Sequence, residues 1–418
     1  MEVFAMKVTV HRGQNEIGGS IIEIASEKTR LIFDVGIELD EGDEHNVPQI
    51  DGLFCGGKKY DAVIISHNHA DHVGLVDDLV EGIPVYMGRK AFELLSESYK
   101  YRKLPMEFKL ENDNIISDGK SIVIGDMEII PIECDHSAFE SFMFIIKCGG
   151  KSILYTGDFR SNGRKNFSGL LERIPHTDAV IIEGTTLSRV DRDGNEIENI
   201  PEEKLEDIAN NALKKYTGPC FILTSSMNID RLVTMSDVAK ANGRIFAEDV
   251  YTANIAAASG IDSIDPNKSK WVKVYQIKQS DHDELISKYN SSKIGRGAIG
   301  KSKFILNIKQ SYTMKNWLQK LSEVCSFENG ILFYGLWSGY KEELKMKEFL
   351  EFMESKGVKV HTLHTSGHAD PLTIRQLISK ASPKMIIPVH TENAKWFEEN
   401  YPALNVINST GEDKVIRV

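Results

Sequence analysis

Apolar and polar residues alternate, or bunch into short runs, through the first third of the chain. MKVTVHR, SIIEI, RLIFDVG, DAVIISH, MEIIPIEC, FMFIIK, SILYTGDF and DAVIIEGT each read as a strand bounded by turn residues. Helical spacing shows at 72–81 (HVGLVDDLVE) and again at 90–98. From about Pro201 the texture changes. Helices predicted at 201–216, 229–241 and 340–355 alternate with the buried runs FILTSS, RIFAED, ILFYG and VKVHTLH, which describes an α/β unit of a different kind. The tail returns to compact units with LTIRQLIS, KMIIPVH, NAKWFEENY and KVIRV, and the hydrophilic stretch SRVDRDGNEIENIPEE (188–203) predicts a linker.

Composition narrows this picture without redrawing it. A chain of 418 residues, 41% hydrophobic with 12 prolines, can bury a large core and is long enough for two domains. No stretch offers the ~18 uninterrupted apolar residues of a membrane span, and the N-terminus lacks a basic region followed by an apolar one, so the expected location is the cytoplasm, with no membrane partner. Five scattered cysteines without a CxxC pair predict reduced thiols rather than disulfides or a thiolate metal site. A formal net charge of −11 argues against a general polyanion binder, because neutralising phosphates needs a basic surface.

Candidate chemistry is concentrated in ISHNHADHVG (65–74). Of twelve histidines in the chain, His67, His69 and His72 fall in one hexapeptide together with Asp71, directly after an apolar strand. Two residues apart at a strand end, His67 and His69 can point the same way, and Asp71 and His72 follow where a helix begins. Imidazole and carboxylate are the ligands that borderline cations such as zinc prefer. One hexapeptide cannot fill two metal shells, so further ligands are expected at other strand ends. His136 in IECDHSAFES and Asp158 in ILYTGDFR both follow apolar strands and lie near small residues.

These motifs, in this order and with Asp34 in LIFDVG, resemble the metallo-β-lactamase fold. The resemblance implies a four-layer αββα sandwich with a dinuclear metal centre between two sheets. Further on, DAVIIEGTTLS with Glu183, HTLHTSGHAD with His368 and MIIPVHTE with His390 resemble the acidic and histidine motifs of the β-CASP subgroup, its nucleic-acid-processing branch. TSGHA, IPVHTE and the segment 222–244 are most similar to ribonuclease J. The implied domains are 1–190, the first part of the sandwich; 191–362, an inserted α/β β-CASP domain; and 363–418, the C-terminal part of the sandwich. The chain departs from that family in two places. It ends at Val418, soon after the last sandwich strand, where the family carries a further domain, and it has LNIKQSYTMKN (306–316) where the family has a Gly-rich turn.

The resemblance also implies roles. His67, His69 and His136 hold one metal; Asp71, His72 and His390 hold the other; Asp158 bridges them. Asp71 counts among the catalytic residues as well as the ligands. His368 is the implied general acid, with Glu183 hydrogen-bonded to its far nitrogen, and Asp34 orients a ligand rather than binding metal. The cofactor expected is two zinc ions, with manganese as the alternative. The function expected is a metal-dependent ribonuclease of ribonuclease J type, exonuclease or endonuclease, acting on single-stranded RNA, with a homodimer as the assembly considered. Three other readings compete. RNA-acting members carry histidine at the last motif, as His390 does here, where DNA-acting members carry an apolar residue. A small-molecule hydrolase would need only the sandwich and leaves the inserted domain unexplained. A catalytically idle binding subunit would have lost ligands, and all seven positions are filled.

Other residues receive more ordinary expectations. His361 and His364 are assigned to structure, with a substrate contact considered for His364; Ser366 offers a hydroxyl beside a glycine amide to a phosphate. His11, His45, His176 and His282 are expected on the surface, and Trp317, Trp337 and Trp396 in the core. From Leu285 to Ser322 there is no Asp or Glu but there are seven lysines and one arginine. Arg296, Lys301 and Lys303 in that stretch are expected to track an RNA backbone at the roof of the cleft, with Lys100, Arg102 and Lys103 as the fallback.

Overall fold

The computed structural model describes residues 5–39, 46–189, 194–277, 283–408 and 415–418. Two seven-stranded sheets face each other. The first runs, edge to edge, through Ile416–Arg417, Lys7–Arg12, Ile21–Ala25, Arg30–Phe33, Ala62–Ile64, Val85–Gly88 and Ile115–Ile116. The second runs through Asn405–Val406, Met385–Val389, Ala179–Glu183, Lys151–Tyr155, Ser141–Cys148, Met127–Cys134 and Ile122–Ile124. Ile22, Leu31, Phe33 and Ile64 from the first pack against Ile129, Phe144, Ile146 and Ile181 from the second, so the strands facing this core are buried on both sides. The helix Arg89–Arg102 covers the outer face of the first sheet, and Phe167–Arg173, Pro371–Ala381 and Lys395–Asn400 cover the second. This is the αββα sandwich.

The third sheet has six strands, Val272–Tyr275, Ile245–Asp249, Phe304–Ile308, Cys220–Leu223, Gly330–Tyr334 and Val358–Thr362, all parallel. Their ladders need helical crossovers, which the sequence supplies in Ile229–Ala241, Tyr312–Ser322 and Leu344–Ser355. The chain then re-enters the second sandwich sheet as Met385–Val389, beside Ala179–Glu183. Of the described cysteines, all five are free thiols. No helix among the described residues is long and apolar enough to cross a membrane.

The helix expected at 72–81 does not form. A single turn, Ala70–Val73, is followed by a 3-10 turn, Val76–Asp78. The backbone of 35–37 explains the break: it takes the carbonyls of His72 and Ala70 through Val35 N and Ile37 N, and Val35 O accepts from Leu75 N. Ala70 O still accepts from Gly74 N, but the His72 carbonyl and the Leu75 amide are engaged by Val35, so the helix stops as it reaches residue 74. The approach is close enough to require Gly36, where an added Cβ would lie 1.8 Å from Asp71 O. The predicted helix 340–355 begins later, at Leu344, after a 3-10 turn over Ser338–Glu342. The predicted linker is not a free tether, for Asn199 N donates to Asp370 and Asn199 Nδ2 to the His368 carbonyl at 2.8 Å. Residues 190–193 of that stretch lie outside the described residues, as do His45 and His282.

Candidate metal centre

Parallel strands bring the chemistry together, because their C-terminal ends lie on one side of each sheet. Arg30–Phe33 and Ala62–Ile64 are parallel neighbours, leading into Asp34 and into His67. In the opposite sheet Lys151–Tyr155, Ala179–Glu183 and Met385–Val389 are parallel and lead to Asp158, Glu183 and His390. His136 follows the end of Met127–Cys134. Asp34 and His390 have positive φ, 60° and 50°, a backbone strain of about 1–3 kcal/mol each that the surrounding structure must offset.

Asp158 sits at the centre. Its Oδ2 lies 3.2 Å from His72 Nε2, 3.8 Å from His136 Nε2, and 3.9 Å from the Nε2 atoms of both His67 and His390. His69 Nδ1 is 3.1 Å from His136 Nε2, and His390 Nε2 is 3.1 Å from Asp71 Oδ2. Three overlapping donor groups result among the described residues: His67 with His69 and His136; Asp71 with His72, Asp158 and His390; and Asp158 with Glu183, His368 and His390.

The outward nitrogens determine how these rings bind. His72 Nδ1 meets Asp34 Oδ2 at 2.8 Å and His136 Nδ1 meets the Gly367 carbonyl at 2.6 Å; both partners only accept, so both rings carry their proton on Nδ1. Ser66 donates its hydroxyl proton to Asp34 and so accepts from His67 Nδ1 at 2.9 Å. Thr185 reaches the His390 carbonyl and likewise accepts from His390 Nδ1 at 2.8 Å. Four Nε2 lone pairs therefore face inward. His67 Nε2, His72 Nε2 and both Asp158 oxygens are buried there without a hydrogen-bond partner, an arrangement that is costly unless a cation satisfies it. The donor set fits divalent metal.

Electrostatics agree. Burial, helped by the charges of neighbouring imidazoles, pushes His67 and His136 well below the usual histidine range, and burial takes His69 down to about 4, so all three are neutral ligands at pH 7. Burial acts the same way on His72 and His390, but the carboxylates beside them, led by Asp158, outweigh it and raise both. Burial opposes ionisation of Asp158 and Asp71, yet the surrounding histidines hold both carboxyls well below their ordinary range. A bound cation takes the place of the protons on the second group.

His368 and Glu183 are brought to the same place. His368 Nδ1 lies 3.2 Å from Glu183 Oε2 and 3.5 Å from Asp158 Oδ2, and makes no aligned hydrogen bond to either. Glu183 is fully buried and anchored by Phe159 N at 2.9 Å. Ser366 is also here, its hydroxyl accepting from His368 N, and Asp370 caps the helix Pro371–Ala381 that fixes the loop. A cavity of about 210 Å³ opens beside His69, walled by Ser137, Thr224, Trp337, His364 and Gly367. His364 thus faces the cavity, with its Nδ1 on the Gly335 carbonyl.

Arg296, Lys301 and Lys303 are not brought to this place. They precede Phe304–Ile308, which runs parallel to Cys220–Leu223, and the cavity lies past the C-terminal end of the latter. Lys303, whose carbonyl accepts from Ile245 N, and Lys301 just before it therefore sit toward the opposite end of the sheet, and Arg296 does not line the cavity. Lys309, at the near end, is half-buried and donates to the Thr224 carbonyl at 3.2 Å and to the Ser226 hydroxyl, bracing the cavity wall from behind. Trp317 and Trp396 are core residues, but Trp337 is 44% exposed. His11 is not isolated either, since its ring meets Glu23 at 2.9 Å.

Several participants gave no signal in sequence. Ser66 and Thr185 look like any hydroxyl residue, and Tyr155, whose OH donates to Asp34 at 2.6 Å, like any strand aromatic. Arg160 is fully buried between Asp135, next to the ligand His136, and Asp230 on the helix Ile229–Ala241. Leaving one partner of such a buried pair unmatched costs about 3–5 kcal/mol, so it ties the third sheet's unit to the metal-binding loops. Thr185→Val is expected to weaken metal affinity about 10–100-fold, because His390 loses the acceptor that sets its tautomer. Metal titration of the chelated protein measures this; an unchanged affinity removes Thr185 from the site.

The fold, the inward-facing donors and the family matches define a hydrolase of the metallo-β-lactamase superfamily. Residues 30–206 match the β-lactamase superfamily domain, and residues 357–400 match the RNA specificity domain of Zn-dependent metallo-hydrolases. Within the superfamily the chain is similar to ribonuclease J proteins along most of its length. It is 24% identical to ribonuclease J of Mycoplasma pneumoniae over 403 residues, 92% of this chain and 68% of the relative. It is 22% identical to ribonuclease J 1 of Streptococcus pyogenes, over 91% of this chain and 67% of the relative. An RNase J-like protein of Methanocaldococcus jannaschii is 26% identical over 195 residues, 43% of each chain. A crystal structure of a protein of unknown function from Enterococcus faecalis shares the fold, with a TM-score of 0.79 at 21% identity over 99% of this chain and 100% of the other.

Proposed function

We propose that the protein hydrolyses phosphodiester bonds of single-stranded RNA with two divalent cations, zinc or alternatively manganese. The observation that carries the reading is the set of overlapping donor groups around Asp158, with their inward atoms unpartnered. The match to an RNA specificity domain and the ribonuclease J relatives point to RNA as the substrate. His67, His69 and His136 would hold one ion, and Asp71, His72 and His390 the other, with Asp158 available to both. Cations bound there would supply a water of lowered pKa and offset the charge growing on the phosphate. His368 supplies a proton to the leaving oxygen, and Glu183 keeps its ring in place. Ser366 and His364 line the approach for the substrate. The third sheet's unit supports this reading over a small-molecule hydrolase, because it walls one side of the cavity beside His69 through Thr224 and Trp337.

The test is end-labelled single-stranded RNA, carrying a 5′-monophosphate or a 5′-hydroxyl, incubated with metal-loaded protein. Cleavage that chelator stops is expected, with mononucleotides marking an exonuclease and discrete internal fragments an endonuclease. RNA left intact with either zinc or manganese overturns the reading.

A further inference from the structure

Trp337 is left unused by the metal chemistry. Of the tryptophans expected in the core, Trp317 is 6% exposed and Trp396 7%, against 44% for Trp337. It follows the strand Gly330–Tyr334, and it walls the same cavity as the ligand His69. A large indole left half in water forgoes burial, yet this one is held in position. Tyr334 OH donates to its carbonyl at 3.1 Å, and Tyr340 meets its ring at 5.4 Å with the planes 86° apart. Gly339 lies against the ring so closely that a Cβ there would come within 2.3 Å of it. The Arg189 guanidinium lies 5.5 Å from the ring centroid and forms no ion pair among the described residues. A fixed aromatic ring half in water, with a guanidinium over it that no carboxylate neutralises among the described residues, is the combination that receives single-stranded nucleic acid, base on ring and phosphate on arginine.

We propose that Trp337 is the stacking platform for the nucleobase next to the scissile phosphate, with Arg189 contacting a phosphate of that strand. This rests on the ribonuclease reading above. A cavity of about 210 Å³ shared by Trp337 and His69 places the platform within about one nucleotide of the metal ligands and is small for anything beyond a single base. Since every base offers a π face, the platform holds a strand without choosing its sequence. The loop carrying it is pinned by His364, whose Nδ1 donates to the Gly335 carbonyl at 3.1 Å.

Base stacking is worth about 1–3 kcal/mol, so Trp337→Ala should raise KM for single-stranded RNA roughly 5- to 150-fold with little change in kcat, and Trp337→Phe should recover most of the loss. Binding is read separately, without turnover. AMP should quench tryptophan emission of the wild-type protein, ribose 5-phosphate should not, and the AMP quench should vanish in Trp337→Ala. An unchanged KM in Trp337→Ala, or an AMP quench that persists in that variant, overturns the platform while leaving the ribonuclease reading intact. If the wild-type protein leaves RNA uncut, that reading fails and the AMP quench alone decides whether Trp337 stacks a base.

Discussion

Asp158→Asn protein is expected to fold as the wild type does and to cut RNA at least ~10³-fold more slowly, the several kcal/mol that the metals contribute. One carboxylate oxygen lies 3.2 to 3.9 Å from the Nε2 atoms of four imidazoles. Replacing it by an amide keeps the shape but removes the charge that would join two dications, and it turns one oxygen into an NH₂ facing them. Elemental analysis should show metal content falling together with activity, while circular dichroism stays unchanged. Near wild-type turnover by a correctly folded Asp158→Asn variant would remove Asp158 from the centre of the mechanism.

The second large effect separates proton transfer from metal binding. His368→Ala should keep its metal and lose turnover by ~10²–10⁴-fold, the usual contribution of a positioned general acid. His390→Ala should lose metal as well. Geometry makes this comparison worth doing, since His368 Nδ1 is 3.2 Å from Glu183 and 3.5 Å from Asp158, and Asp158, Glu183, His368 and His390 lie close enough together to share an ion. Equal metal loss in the two variants would make His368 a ligand and leave the leaving group without its acid.

Much of the sandwich was legible because its strands carry period-two or fully apolar runs, and MEIIPIEC is the strand Met127–Cys134 to the residue. The donors were legible because histidine is scarce and crowding it is chemically meaningful. What stayed hidden depended on partners distant in the chain. The break at residue 74 is made by backbone from 35–37, and no periodicity within 72–81 records it. The helix Val250–Ser259 was missed for the opposite reason: it is buried on nearly all sides and has no polar face to mark a period. Lys301 and Lys303 were conspicuous as charge, but which end of a parallel sheet a loop occupies follows from strand direction and not from composition. Trp337 failed in the same way, since an indole has one spelling whether it fills a core or lines a cavity.

His67 Nε2, His72 Nε2 and the Asp158 oxygens make the folded chain, and not the unfolded one, a prepared ligand, so free metal concentration enters the folding equilibrium itself. An ion that binds only the folded state adds RT ln(1 + [ion]/Kd), about 1.4 kcal/mol per site for each tenfold rise above Kd. The melting temperature of this protein is then expected to report the divalent metal around it, lower in chelator and climbing as the metal is restored.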